Sequence, residues 1–195
     1  MDFHRIKKVL NPQHTLLDHE WKGAVLFLCD SQNIYLIKRS EDMPTHRGQV
    51  AFVGGHKQSG ENDPWGVVTR EFIEETQHSS SIIEFMGYLP VVMTARFQPI
   101  VPVVAKLKIS GDEFLSSSQS NGEWSEIFSY PWHRLTQEHL WEFAWRNGYT
   151  RSPVMFHAIG AGTFASPKGE AQAMLLWGAT ASMIWQFLHL YHHQD

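Results

Sequence analysis

The stretch Val50–Glu75, VAFVGGHKQSGENDPWGVVTREFIEE, decides how the rest of the chain reads. It runs as a strand, a Gly54-Gly55 turn, a polar loop holding Glu61, and a helix with Asp63 as N-cap and Pro64 in the first helical position. At about 100° per residue, Trp65, Val68, Phe72 and Ile73 share one apolar arc, and Glu71, Glu74 and Glu75 crowd the neighbouring one. Carboxylates at these spacings repel by roughly 0.2–0.5 kcal/mol per pair. They also stand in the half of the helix where the macrodipole disfavours anions. Nothing local offsets this, and a divalent cation bound by hard carboxylate oxygens is the natural compensation.

The surroundings read as one soluble domain over residues 1–195. Charged residues make up 18% of the chain and the net charge is −4, so general affinity for nucleic acid is not expected. Cys29, the single cysteine, excludes an intramolecular disulfide and fits a buried core thiol in a reducing compartment. MDFHRIKK is no secretory signal, and no apolar run is long enough to span a bilayer, which points to a cytoplasmic protein.

Residues 1–20 read as an outer extension of short helix and linker, anchored by Leu10, Leu16 and Leu17. Lys22–Cys29 and Ile34–Ile37 read as a hairpin buried on both faces. Ile82–Leu89, Gln98–Leu107 and Trp124–Tyr130 read as strands, with Pro99 and Pro102 placing the second near a sheet edge or a bulge. Ser110–Glu123 reads as a linker, Pro131–Trp145 as helical, Arg146–Lys168 as irregular with a strand near Val154–Phe156, and residues 171–190 as a C-terminal helix. Strands alternating with helices predict a mixed-sheet α/β/α sandwich.

Gly55, Glu61, Arg70, Glu71, Glu74 and Glu75 together resemble the Nudix box, in which glycine is followed by Glu and later by Arg-Glu, two residues, and Glu-Glu. The spacing from Glu61 to Arg70 is one residue longer than the general pattern, as in the coenzyme A pyrophosphatase branch. Arg39-Ser40, Gly48 and Phe52–Gly55 resemble that branch upstream of the box. Leu89-Pro90, Thr94, Phe97, Pro102, Asn121, Glu123, Phe128, Pro131 and Trp177–Ala181 resemble it downstream. Three positions depart: Pro44 stands for an arginine, Val53 for a proline and Gln77 for a glycine.

The resemblance implies the Nudix fold with a loop–helix–loop metal site, and hydrolysis of a nucleoside diphosphate linked to another moiety. Mg²⁺, or Mn²⁺, would be held by Glu71, Glu75, the Gly55 carbonyl and Glu74. Glu74 or Glu123 would take the proton of the attacking water. Gly54, Glu61 and Arg70 would be structural, with Arg70 pairing Glu61, and Arg39, His46 and Arg47 would contact phosphates. Coenzyme A or an acyl derivative is the expected substrate, yielding 3′,5′-ADP and a phosphopantetheine product. ADP-ribose or a nucleoside diphosphate sugar is the alternative. A nucleotide-binding module without turnover is the reading from another class, and an acidic helix facing a protein partner is a third. The expected partner is a small molecule, with no nucleic acid or membrane, and the chain as monomer or homodimer. One of the eight tryptophans could stack on an adenine. His157, His189, His192 and His193 show no metal-ligand spacing.

Overall fold

The computed structural model describes residues 1–13, 20–146, 150–159 and 174–192, with the backbone alone for 144–146, 150–159 and 174. Strands β1 (Gly23–Cys29) and β2 (Asn33–Arg39) form the expected hairpin. Asp30 sets its turn, its Oδ1 accepting the N–H groups of Gln32 and Asn33, both at 2.7 Å. The two strands pair at the turn, Cys29 against Ile34, and then part. β1 continues between β4 (Val53–His56), antiparallel, and β7 (Pro99–Leu107), parallel. β2 continues between β3 (Val50–Ala51) and β8 (Trp124–Pro131), both antiparallel. The sheet therefore opens as a fork. β5 (Ile83–Tyr88) and β6 (Val92–Met93) extend it beyond β7.

Alternation along the strands builds two cores. Leu26, Leu28, Tyr35 and Ile37 pack beneath helices α2 (Pro64–Thr76) and α3 (Gly111–Ser117), with Val67, Val68, Phe72 and Phe114. Phe27, Cys29, Ile34 and Leu36 face the other way. They pack with Ile6 of α1 (Phe3–Val9) and with Ile184 and Phe187 of α5 (Gly178–His192). Helices cover both faces of a mixed sheet, the α/β/α sandwich that the sequence predicted. A second sheet, β9 (Trp141–Arg146), β10 (Thr150–Ile159) and β11 (Met174–Leu176), is antiparallel throughout.

Several local expectations need correcting. Gly54 and Gly55 do not end a strand; they lie within β4, paired with Val25 and Ala24. Pro99 and Pro102 do not mark an edge, since β7 has β1 on one side and β5 and β6 on the other. Pro99 is the first residue of β7, and Pro102 falls where the antiparallel side is interrupted between Tyr88 and Val92. The Ser110–Glu123 segment contains α3, whose N-cap Ser110 accepts the Glu113 N–H at 3.2 Å. Pro131–Trp145 is helical only over α4 (Trp132–Leu135) and a short turn, after which β9 pairs with β10. Tertiary pairing overrides helical composition there.

The C-terminal helix begins at Gly178 and ends at His192, with β11 occupying part of the stretch expected to be helical. β10 runs well beyond Val154–Phe156, and the rest of the stretch to Lys168 lies outside the described residues. The N-terminal helix is part of the core, Ile6 and Leu10 both being buried, while Leu16, Leu17 and His193 lie outside the described residues. Cys29 is buried, as expected. Among the described residues, no helix is long and apolar enough to cross a membrane.

Candidate active site

Helix α2 is capped by Asp63, whose Oδ1 accepts the Trp65 N–H at 3.1 Å and the Tyr88 hydroxyl at 2.9 Å. Val67, Val68 and Phe72 anchor it to the sheet, which turns the adjoining face onto β4. Its far end needs a left-handed residue, and Gln77 supplies it at φ 61° in place of the usual glycine. The Gln77 N–H closes on the Ile73 carbonyl at 3.0 Å and its side chain on the Glu74 carbonyl at 2.9 Å, offsetting a backbone cost of roughly 1 kcal/mol.

The three glutamates are not equivalent. The sequence placed all of them outside the buried arc, yet Glu75 is 1% exposed, whereas Ile73, assigned to the apolar arc, is 44% exposed. Glu75 Oε1 accepts the Gly54 N–H at 3.0 Å, and its main-chain carbonyl accepts the Trp124 indole N–H at 2.7 Å. Its Oε2 is buried without a hydrogen-bond partner. Burial pushes the Glu75 carboxyl up to about 8; the Gly54 N–H and the Arg39 charge oppose this, while Glu123 and Glu71 add to it.

Glu71 lies flat against β4. A Cβ on Gly55 would come within 2.1 Å of Glu71 Oε1, so that position has room for glycine alone while the carboxylate stays there. Burial raises the Glu71 pKa, Arg70 opposes, and Glu74 and Glu123 reinforce. Gly54 serves the neighbouring strand: at φ 151° its Cβ would meet the Ala24 carbonyl at 2.4 Å and Val25 Cα at 2.6 Å. The pair of glycines thus lets β4 approach β1 on one side and a carboxylate on the other.

Arg70 knits the loop to the helix. Its Nε donates to Glu61 Oε1 at 2.8 Å and its Nη2 to Glu61 Oε2 at 3.3 Å, the expected pairing in bidentate form. Nη2 also donates to the His56 carbonyl at 3.2 Å, and Nη1 to Glu71 at 2.8 Å and Glu74 at 3.1 Å. Arg70, helped by the Gln58 N–H, holds the Glu61 carboxyl below its usual range against the pull of burial. The Glu74 side chain is 52% exposed, turned outward from its two neighbours.

The opposite prong of the fork contributes Arg39 and Glu123. Arg39, the last residue of β2, stands opposite Trp124, and its Nε is buried without a hydrogen-bond partner. The Ser40 N–H donates to the Glu123 carbonyl at 2.8 Å, joining the two segments. Glu123 Oε1 accepts the Asn121 amide at 3.2 Å. Its charge acts on both Glu71 and Glu75.

The fold therefore brings Gly54, Gly55, Glu61, Arg70, Glu71, Glu75, Arg39 and Glu123 together, with Glu74 at the rim. It does not draw in His46 and Arg47, which are exposed and bond within their own loop. His46 Nδ1 lies 3.1 Å from Gln49 Oε1, and Arg47 Nε donates to the Met43 carbonyl at 2.7 Å. Trp124 is the site residue that sequence reasoning missed. Its one available signal is position, directly after Glu123 at a strand start, with an indole N–H that needs an acceptor when buried.

The donor set suits a hard cation: the Glu71 carboxylate, the orphaned Glu75 Oε2 and the backbone of Gly55 beside them. Among the described residues no three His, Cys, Asp or Glu side chains already surround one point. In this arrangement Arg70 and the Gly54 N–H engage the carboxylates that an ion would claim.

A model of the Nudix domain matches residues 20–151. "Uncharacterized Nudix hydrolase NudL" of Escherichia coli O7:K1 is 28% identical over 134 residues, covering 67% of this chain and 68% of that protein. "Nudix hydrolase 22, chloroplastic" of Arabidopsis thaliana is 30% identical over 92 residues, covering 44% of this chain. The match covers 30% of that plant protein's own length. Among solved structures, a MutT/nudix family protein from Enterococcus faecalis is similar over 90% of this chain and 63% of its own, at 17% identity and a TM-score of 0.47. An Ap4A hydrolase of C. elegans is similar over 54% of this chain and 76% of its own, at 18% identity and a TM-score of 0.43.

Proposed function

The chain belongs to the Nudix family, and from that premise we propose that it is a Mg²⁺-dependent pyrophosphohydrolase acting on a nucleoside diphosphate linked to a second moiety. The observation that carries this reading is the buried, partnerless Glu75 Oε2 beside Glu71, at the mouth of the fork. A buried carboxyl oxygen without a hydrogen bond costs on the order of several kcal/mol to ionise, which is why Glu75 keeps its proton in the metal-free protein, and a bound cation removes that cost. Glu71, Glu75 and the Gly55 carbonyl would hold the ion; Mn²⁺ meets the same donor set. When bound, such an ion neutralises diphosphate charge and acidifies a coordinated water.

The chain's own groups do the rest. Arg39, with its unsatisfied Nε beside the glutamates, binds a phosphate oxygen through a charge-assisted contact. Arg70 fixes Glu71 and the Glu61 loop, so the carboxylate and β4 keep their spacing as charge develops. Glu123 is the better proton acceptor of the two candidates. Its Oε1 is engaged by Asn121, leaving Oε2 to take the proton, and it stands close enough to act on both Glu71 and Glu75. Glu74, at the rim and bonded to Arg70, is the weaker one.

For the substrate we favour coenzyme A or an acyl derivative, which the resemblance of Arg39-Ser40, Gly48 and Phe52–Gly55 to the coenzyme A branch supports. The alternative, ADP-ribose or a nucleoside diphosphate sugar, draws support from the loop: Pro44 removes an expected arginine and Arg47 is committed to the Met43 carbonyl. The whole chain would act as one domain in the cytoplasm. A panel of these diphosphates, incubated with and without Mg²⁺ or Mn²⁺, decides among them. Release of phosphopantetheine from coenzyme A supports the first choice. Metal-dependent turnover of ADP-ribose with none of coenzyme A supports the second, and no turnover anywhere overturns the hydrolase.

A further inference from the structure

We infer that the turn Thr94–Gln98 is the base-binding rim of this site, with Phe97 as the stacking platform for the substrate's nucleobase and Arg96 as the cation beside it. The inference rests on the nucleoside diphosphate reading above. It begins from an anomaly. Phe97 is 84% exposed, the most exposed large apolar side chain among the described residues, and it adopts φ 56°. A bulky L residue takes that left-handed conformation at a cost that glycine or asparagine avoids. The turn holds it there: the Thr94 N–H donates to the Gln98 carbonyl at 3.0 Å and the Phe97 N–H to the Thr94 carbonyl at 3.0 Å. The Gln98 N–H donates to Thr94 Oγ1 at 3.1 Å. A ring that neither packs nor hides, fixed on a strained and hydrogen-bonded tip, is placed for something outside the fold.

The sheet register shows what lies next to it. Gly55 pairs with Ala24, which pairs with Val101 in β7. The Lys57 N–H donates to the Lys22 carbonyl and the Lys22 N–H to the Pro99 carbonyl, each at 3.0 Å, and Pro99 pairs with Met93. One hydrogen-bonded row thus runs from just beyond Gly55 to the foot of the turn. From Gly55 to Pro99 is two strands across and two residues along, about 12 Å, and the chain reaches Phe97 two residues further out. That suits a diphosphate at Gly55 with its ribose and base extended along the row. The charges agree. Lys22 and Arg96 are exposed cations with no described partner, and Lys57 stands over the Trp21 ring at 4.3 Å, giving an anion a basic track away from the glutamates. Stacking on an exposed ring tolerates any base and favours the larger π-face of a purine.

The test is calorimetric titration of ADP and, separately, inorganic pyrophosphate into the wild-type chain, Phe97→Gly and Phe97→Trp, with thermal melts of all three. Glycine suits the left-handed position, so Phe97→Gly should melt at or above the wild-type temperature. It should weaken ADP binding by about 5- to 30-fold and leave pyrophosphate binding unchanged, while Phe97→Trp restores ADP affinity. On a substrate the wild type turns over, Phe97→Gly should raise KM by the same factor with kcat within about twofold. ADP affinity unchanged in Phe97→Gly, a parallel loss of pyrophosphate affinity, or no ADP binding by the wild type overturns the inference. Phe97-dependent ADP binding without turnover of any diphosphate would leave the inference standing and sink the hydrolase reading instead.

Discussion

The fork and the Ser40–Gln49 loop are neighbours in sequence and are built in opposite ways. In the fork Glu75 and Arg70 are held by other elements: Glu75 by Gly54 of β4, its carbonyl by Trp124 of β8, and Arg70 by Glu61 and His56 across the loop. In the Ser40–Gln49 loop the described bonds of His46 and Arg47 stay within the loop, and His46 takes φ 59° with its ring exposed. Positions fixed from several sides can keep a charge in a buried and uncomfortable place. Positions fixed only locally can change with little consequence for the fold. Catalytic geometry should therefore respond to change in the fork, and substrate preference to change in the loop.

The sharpest way to break this contrast is Gly55→Ala. The new methyl collides with the Glu71 carboxylate, the movable end of a side chain, and not with backbone. Activity should fall by about 100-fold or more while the melting temperature moves by only a few degrees. A large loss of stability with activity retained would show that Gly55 serves packing alone. Arg70→Ala should come next. It removes both Glu61 bonds and the Glu71 and Glu74 contacts, so we expect a loss of about 1–3 kcal/mol in denaturant unfolding together with at least 10-fold in kcat/KM.

The pH dependence of stability tests the buried carboxyl itself. Glu75 is raised to about 8 from its usual 4.5, so in the metal-free protein the folded state holds a proton that the unfolded chain releases. That stabilisation is complete below about pH 4.5 and is lost as the pH rises toward 8. Its contribution should lower the melting temperature between pH 5 and pH 8 in wild type relative to Glu75→Gln. Mg²⁺ should stabilise the wild type increasingly over the same interval, because ion and proton compete for one oxygen. The smallest effect is expected from Arg47→Ala, a change of a few-fold in KM at unchanged melting temperature, read from initial rates.

The outline of the fork was legible in the sequence because it rests on constraints that show in single residues. Asp63-Pro64 fixed the helix start, the Arg70–Glu61 pairing followed from the box, and the unbroken apolar runs Lys22–Cys29 and Ile34–Ile37 predicted a strand pair buried on both faces. What did not show was burial set by a distant partner. Helical periodicity put Glu75 among the outward carboxylates, because nothing in the local pattern reveals that Trp124 and Gly54 would close over it. The same holds for Trp141–Arg146, where a helical composition gave way to pairing with Thr150–Met155. Ser110–Glu123 misled for the reverse reason: its low apolar content hid a short capped helix that buries only Phe114 and Leu115.

On the proposed mechanism, diphosphate hydrolysis depends on the cation-binding carboxylate of Glu75 buried in the fork. Steady-state hydrolysis of coenzyme A and ADP-ribose by the wild type and by Glu75→Gln, each titrated with Mg²⁺, tests it most directly. The amide keeps the shape and the burial while removing the charge. We predict Mg²⁺-dependent turnover by the wild type and a loss of about 1,000-fold or more in Glu75→Gln, with the folded structure retained in a thermal melt. Equal turnover by the two proteins at every Mg²⁺ concentration would contradict it.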